Sequence, residues 1–408
     1  MACRVGLMRR RVYHGAMMLI DGRVVGPPLS GIGRYTLNLL AGIDAAPRDL
    51  LPGGRPVKVW MRPEVLRGDL VPGAVKRSDA LELIESPGRP QDWVSLRNSG
   101  KALRRLGVEL VHCPDVFLPW QAGCRRVVTL HDVIPLACRG QLQRSRKQRY
   151  LWAWRAWLKQ QTRAAIRSGG GVVTVSEFSK RDIHRHLGVP LDHLHVIPNA
   201  IGLEGDESSS ACSGGEVLED LGVRGPFVLN VGRRDPYKNV DGLVRAFAKM
   251  RERFDDLPAG LQLVIVGPAD PRYPEAEREV ERLGLGDAVV FTGQADDSVL
   301  RPLYSNAALL AAPSFYEGFG LPALEAMAAG TPVVAADATS LPEVVGDAGL
   351  LYDPHRSGAL AEAMRRVLVD NVLQADLRGR GLKRAGWFTV GRCGAAHLAL
   401  YRKLLGKA

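Results

Sequence analysis

At 408 residues the chain is longer than one hydrophobic core usually serves, and its 46% apolar content is that of a globular protein. No segment approaches the run of about eighteen apolar residues that a membrane-spanning helix needs, which excludes an integral helical membrane protein. The net charge of +12 is uneven: residues 1–200 carry 32 Lys and Arg against 15 Asp and Glu, while residues 201–408 carry 23 against 28.

The opening MACRVGLMRRRVYHGAMMLIDGRVV places a basic cluster, Arg9 to Arg11, before an apolar run, as a secretory signal does, but Asp21 and Arg23 cut the run short. It reads as a short extension followed by a first strand. PVKVWMR, VELVHCP, RRVVTLHDV and GGVVTVSE follow as further strands of the first half, with SGGG at 168–171 as a helix stop rather than a phosphate loop. The six cysteines (Cys3, Cys113, Cys124, Cys138, Cys212, Cys393) form no C-x-x-C pair and are too sparse for a disulfide framework, which suits a reducing cytoplasm.

From Arg139 to Arg167 there are nine basic residues and no acidic one, with Trp152, Trp154 and Trp157 interleaved. That composition suits either an anionic membrane surface or a long helix with packed tryptophans and solvated arginines. HRHLGVPLDHLH holds His184, His186, His193 and His195, but their spacing fits no tight zinc pattern, and solvent-facing histidines are expected. Between the halves AIGLEGDESSSACSGGEVLED is rich in Ser and Gly and reads as a linker over about 199–224.

The second half alternates strand and helix regularly. PFVLNVG precedes VDGLVRAFAKMRERF, LQLVIVG precedes PEAEREVERLG, DAVVFTG precedes DSVLRPLYSN, and AALLAAPS precedes LPALEAMAAG; TPVVAAD leads into a short turn and GLLYD into SGALAEAMRRVLVD. Apolar strands alternating with amphipathic helices predict parallel sheets buried on both faces, hence an α/β chain of two doubly wound domains. In such sheets ligands sit beyond the carboxyl ends of the strands.

Two motifs stand at such ends. In EGFGLPALEAMAAG, Glu317 ends a strand, Gly318 and Gly320 permit close backbone approach, and a helix begins near Leu321 or Pro322, aiming free N–H groups at the same crevice. Glu325, one turn into that helix, is placed to accept bonds from a vicinal diol. In NVGRRDPYKN, Arg233 and Lys238 put a fixed guanidinium and a mobile ammonium at another strand end, suited to a diphosphate and to the charge that develops as it departs. The chain contains no D-x-D, the arrangement that commonly holds a metal on a diphosphate.

GRRDPYKN and EGFGLPALEAMAAGTPVVAADATSLPEVVGDAGLLYDP, together with SGIGRYTLNLL, HDVIPL, VVTVSEFSKRDI and VIPNAI, closely resemble the retaining nucleotide-sugar glycosyltransferases of family four, which include bacterial mannosyltransferases. The likeness spans essentially the whole chain, and its E-x7-E block is specific where the glycines alone would not be. It implies the GT-B fold: two Rossmann-like domains facing across a cleft, an acceptor-binding domain over 1–198, a donor-binding domain over 199–388, and a terminal helix over 389–408 returning to the first. It further implies that Glu317 contacts the donor sugar, Glu325 the ribose, and Arg233 and Lys238 the diphosphate, helped by backbone amides of Gly318, Phe319, Gly320 and Leu321. His131 of LHDV would lie against the reacting sugar, and Gly31 and Gly33 would form a loop between donor phosphates and acceptor. The implied reaction keeps the anomeric configuration and needs no metal or other cofactor. Two departures lie outside this set: Ala200 follows VIPN where many relatives have glycine, and WFTV stands where FSW is usual.

The expected function is therefore transfer of a hexose, with mannose from GDP-mannose the leading donor, to a glycan or polyprenyl-diphosphate-linked acceptor, in the cytoplasm or at the inner face of its membrane. A UDP-sugar donor, a catalytically inactive relative and a basic nucleic-acid-binding protein are the alternatives. The calculated pI of about 9.6 favours the last, but no recognition-helix, zinc or RNA motif accompanies it, so no nucleic-acid partner is expected. A dinucleotide-dependent oxidoreductase is disfavoured because no G-x-G-x-x-G follows a strand with an acid about twenty residues on.

Overall fold

In the computed structural model the described residues are 17–86, 88–89, 92–142, 150–202 and 214–406. They form two all-parallel sheets. The first contains β1 (Met18–Asp21), β2 (Val57–Met61), β3 (Leu81–Glu85), β4 (Leu110–Cys113), β5 (Arg125–Thr129), β6 (Gly171–Thr174) and β7 (Leu194–Val196), in the order β3-β2-β1-β4-β5-β6-β7. The second contains β8 (Phe227–Val231), β9 (Gln262–Val266), β10 (Val289–Gly293), β11 (Leu309–Ala312), β12 (Val333–Ala336) and β13 (Leu350–Tyr352), in the order β10-β9-β8-β11-β12-β13. Both are Rossmann-like, so the α/β class with two doubly wound sheets is observed.

By packing, the chain divides into two compact units: Met1–Thr129 with Ala164–Gly171 and Gly394–Ala408, and Leu130–Arg163 with Val172–Cys393. Central strands were legible because both faces are buried: every residue of β1, β4, β9 and β12 is inside. β3 and β7 were not expected from the sequence. Both are edge strands whose residues are mostly half-buried or exposed, so neither needs an unbroken apolar run.

In the first unit the terminal helix Val390–Leu404 packs against the helix Gly31–Asp44, where a Cβ on Gly394 would overlap the carbonyl of Gly42. Buried polar side chains there are joined in one hydrogen-bonded chain through Thr129 and Tyr35. His112 contacts Tyr401 Oη at 2.5 Å and Thr129 Oγ1 at 2.8 Å, and His397 contacts Tyr35 Oη at 2.9 Å. The glycines expected in a loop are instead helical: Gly31 and Gly33 make the first turn of Gly31–Asp44, whose N-cap Ser30 accepts a bond from the Gly33 amide at 3.1 Å.

In the second unit the second sheet is covered by apolar helix faces, with Leu243, Val244, Phe247 and Met250 of the Val240–Arg253 helix fully buried. Each such side chain contributes about 1.5–3 kcal/mol. The linker reading holds less well at its end, since Gly214–Asp220 is a helix; residues 203–213, with Cys212, lie outside the described residues, as do Cys3 and the first sixteen positions. The basic segment forms the helix Leu151–Arg167, and residues 143–149 of it are outside the description. Its tryptophans do not all pack inward: Trp152 is 76% exposed, while Trp154 and Trp157 are half-buried.

Candidate functional site

The strand order brings the two motifs together. β8 and β11 pair directly, Leu309 with Val228 and Leu310 with Leu229, and the sheet order reverses between them. The segments leaving their carboxyl ends therefore diverge around a crevice, where open α/β sheets bind ligands. Asn230 fixes that junction by donating from Nδ2 to the Ala311 carbonyl at 2.9 Å.

The segment after β8 separates two adjacent arginines. Arg234 is buried, paired with Glu277, bonded to the Gly267 carbonyl at 3.1 Å and set 4.5 Å from the Phe291 ring centroid, so it is part of the core. Arg233 is 62% exposed and is aimed by Asp235, which accepts from its Nε at 2.9 Å. Asp270 lies 3.8 Å from the same guanidinium; a hydrogen bond from Arg272 chiefly, with Arg233 adding, holds its carboxyl down at about 2. The segment turns at Asn239, which is left-handed at φ 55°, a conformation Asn tolerates, and ties across to the Pro313 carbonyl at 3.2 Å. Lys238 is thereby delivered to Glu317, Nζ to Oε1 2.6 Å, in a pair only 18% and 12% exposed.

After β11, every carbonyl from Glu317 to Phe319 is held by a side-chain hydroxyl. Ser340 Oγ donates to the carbonyls of Glu317 and Phe319, both at 2.9 Å, and Ser176 and Ser179 donate to that of Gly318 at 2.8 and 3.0 Å. The Glu317 amide donates to Thr339 Oγ1 at 3.0 Å, and Ser314 Oγ donates to Glu317 Oε1 at 2.7 Å. Both side-chain bonds to Glu317 end on Oε1, and among the described residues none ends on Oε2. Gly318 is required by space: a Cβ would come within 2.9 Å of Asp132 Cβ and 3.0 Å of the His131 carbonyl oxygen. Gly320, at φ 107°, starts the helix Leu321–Ala328, and among the described residues the amides of Gly318, Phe319, Gly320 and Leu321 have no acceptor. Four N–H groups without acceptors at a helix start are able to hold an anion.

Arg233, Lys238, Glu317, Gly320 and Asn230 line one hollow. His131 is not in that lining; its carbonyl lies beside Gly318. Glu325 stands apart from that lining; it is half-buried one turn into the helix, and the Tyr304 hydroxyl donates to its Oε2 at 2.7 Å. Gly31 and Gly33 belong to the other unit. Tyr237 and Tyr316, the sequence neighbours of Lys238 and Glu317, cluster with Tyr273 and Leu142. Burial above all, and the bond to Asp182 at 2.5 Å, push the Tyr316 hydroxyl far up, so it stays a neutral donor.

Sequence reasoning assigned no role to Ser176, Ser179, Ser314, Thr339, Ser340 or Glu343. Hydroxyl residues near turns are common, and nothing in their spacing shows that they converge on one backbone segment. Glu343 binds the start of the Glu177–Leu187 helix, accepting from the Glu177 amide at 2.8 Å and the Phe178 amide at 2.6 Å. Among the described residues no group of three or more His, Cys, Asp or Glu could hold a metal ion.

Comparison with known proteins identifies the architecture. The family profile described as glycosyl transferases group 1 matches residues 219–384, and that of glycosyltransferase family 4 matches residues 30–204. The chain belongs to the group 1 glycosyltransferases of family four. The O-antigen chain mannosyltransferase B of Escherichia coli is 29% identical over 395 residues, covering 92% of this chain and 97% of that one. Sucrose-phosphate synthase from Thermosynechococcus elongatus shares the fold at TM-score 0.70 and 23% identity, over 96% of this glycosyltransferase and 100% of that chain. Anabaena HepE, solved in complex with UDP-glucose, shares it at TM-score 0.68 and 20% identity, over 96% and 100%. The fold of this glycosyltransferase is thus GT-B.

A second feature lies away from these motifs. Arg139, Arg155, Lys159, Arg185 and Trp152 line a broad groove with no carboxylate among the described residues of its lining. Arg155, which donates to the His186 carbonyl at 3.0 Å, fixes one wall. No helix among the described residues is long and apolar enough to cross a membrane.

Proposed function

We propose that this glycosyltransferase moves mannose from GDP-mannose to a glycan or polyprenyl-diphosphate-linked glycan acceptor in the assembly of a cell-surface polysaccharide. The observation that carries it is the contact of Lys238 with Glu317 at the β8/β11 junction, beside four amides without acceptors. The amides and Lys238, with Arg233, would hold the diphosphate, and Glu317 Oε2 would accept from a sugar hydroxyl. Glu325, with Tyr304, would take the ribose. His131, whose backbone touches Gly318, would bound the reacting sugar, and Gly31 and Gly33 would serve the acceptor side. The choice of mannose is supported by the likeness to a mannosyltransferase over nearly the full length of both chains.

In the step, a bond forms from the acceptor oxygen to the anomeric carbon as the bond from that carbon to the diphosphate oxygen breaks. The electron pair leaves with the nucleoside diphosphate, where Arg233, Lys238 and the helix start stabilise it, and the acceptor proton passes to the departing oxygen on the same face. Configuration is retained. Charge neutralisation by the chain's own cations makes a divalent ion unnecessary in this reading.

The test is incubation with GDP-mannose and with UDP-sugars, with and without chelator, following nucleoside diphosphate release and the anomeric coupling of the product by NMR. GDP release that resists chelator, with a retained anomer, is the expected result. A UDP-sugar donor is the second reading, favoured by the HepE complex; release of UDP instead of GDP would replace the first reading with it. An inverted product would end the retaining assignment.

The groove of Arg139, Arg155, Lys159, Arg185 and Trp152 supports a membrane-borne acceptor and a protein held at the inner face of the cytoplasmic membrane. Cations from two helices and the turn at Arg139, with the exposed indole of Trp152, suit lipid phosphates and the interfacial layer.

A further inference from the structure

Thr339 is one of three non-glycine residues with positive φ among the described residues, at 56°, and it is the only β-branched one. It occupies the first central position of a tight turn closed by the Leu341 amide on the Ala338 carbonyl at 3.2 Å, between β12 and the helix Leu341–Val345. A turn needing positive φ there takes glycine, because a branched Cβ crowds the backbone. Strain of this kind persists where the surroundings over-determine it.

What the branched side chain does is specific. Its Oγ1 accepts the Glu317 amide at 3.0 Å, while the next residue, Ser340, donates to the carbonyls of Glu317 and Phe319. Thr339 does not line the hollow that holds Arg233, Lys238 and Glu317. Glycine at this position would relieve the turn and lose the acceptor.

We propose that Thr339 is a positioning residue for glycosyl transfer: its strained conformation is kept because its hydroxyl holds the peptide of Glu317, and so directs the Glu317 carboxylate at the donor sugar. The carbonyls of 317–319 are held by Ser340, Ser176 and Ser179. Among the described residues the Glu317 amide has Thr339 Oγ1 as its one acceptor. This rests on the reading of Glu317 as a donor-sugar contact.

The test compares Thr339→Gly, Thr339→Ala and Thr339→Ser at equal folded protein. A merely structural threonine predicts that activity follows stability. Positioning predicts that they separate: Thr339→Gly unfolds at the same or a higher temperature and binds nucleoside diphosphate within about twofold of the parent, yet its kcat falls about tenfold or more. Thr339→Ala loses kcat without gaining stability, and Thr339→Ser keeps most of the parent rate. Parent-like kcat in Thr339→Gly, or a Thr339→Ser as slow as Thr339→Gly, overturns the proposal. Amide hydrogen exchange at Glu317 gives a readout independent of the donor: it should rise in the glycine and alanine variants and not in the serine variant. Unchanged exchange in all three overturns the proposal even if the donor is other than GDP-mannose, whereas a parent protein inert with every donor, with the exchange pattern as expected, overturns only the donor reading.

Discussion

Lys238 Nζ lies 2.6 Å from Glu317 Oε1, although the two residues leave different strands of the second sheet. The pair holds a mobile cation and an acid in register, and a diphosphate bound as proposed would compete with Glu317 for the ammonium.

Lys238→Ala is expected to lower kcat/KM about a hundredfold or more, the scale of losing one preorganised charge partner in a transition state. Glu317 keeps its bond from Ser314, so the fold should lose about 1–3 kcal/mol from the carboxylate left without its cation. Steady-state kinetics and thermal unfolding on the same preparations check both parts. Parent-like turnover would remove Lys238 from the machinery.

Arg233 and Arg234 should separate cleanly. Arg233→Ala is expected to weaken nucleoside diphosphate binding with little change in melting temperature, since its guanidinium is largely in solvent. Arg234→Ala should cost about 2–3 kcal/mol, because it strips the partly buried Glu277 of its partner and opens space beside Phe291. Calorimetric binding and denaturant unfolding distinguish the two.

Burial pushes the Cys393 thiol up to about 12, and burial with the nearby Asp132, Asp182 and Glu317 carboxylates does the same for Cys138. The folded state keeps these protons where the unfolded chain, with thiols near 8.5, has lost them. Their contribution to stability is therefore full below about pH 8.5 and declines as pH rises toward 12. Unfolding by urea across pH 7–10.5 should show falling midpoints, and an aromatic disulfide reagent at pH 8 should label both thiols far more slowly before unfolding than after. Rapid native labelling of Cys393 would contradict its burial.

The groove between the Leu151–Arg167 and Glu177–Leu187 helices predicts salt-sensitive binding to vesicles containing phosphatidylglycerol and none to pure phosphatidylcholine. Replacing Lys159 and Arg185 with Glu should abolish sedimentation with the vesicles while leaving turnover on a soluble acceptor near the parent value. Unchanged sedimentation of the double variant would show that this groove does not carry the interaction.

The sequence by itself determined the class of fold and the identity of the central strands, because strands covered on both faces must be apolar and their helices amphipathic. It also determined the chemistry available at the strand ends, since Arg233, Lys238, Glu317 and the glycines at 318 and 320 declare themselves by type and local spacing. Edge strands β3 and β7 escaped notice because exposure frees them from an apolar pattern. The loop that the resemblance implied for Gly31 and Gly33 is the first turn of a helix, since glycine is found at turns and helix starts alike. Only the tertiary structure decided that β8 and β11 are neighbours, which sets Lys238 on Glu317. It alone showed that Arg234 belongs to the core while Arg233 does not, and that hydroxyls from three separate segments converge on Glu317 to Phe319. Local sequence encodes periodicity and turn preference; which distant polar groups meet depends on strand order and register, and those are properties of the packed chain.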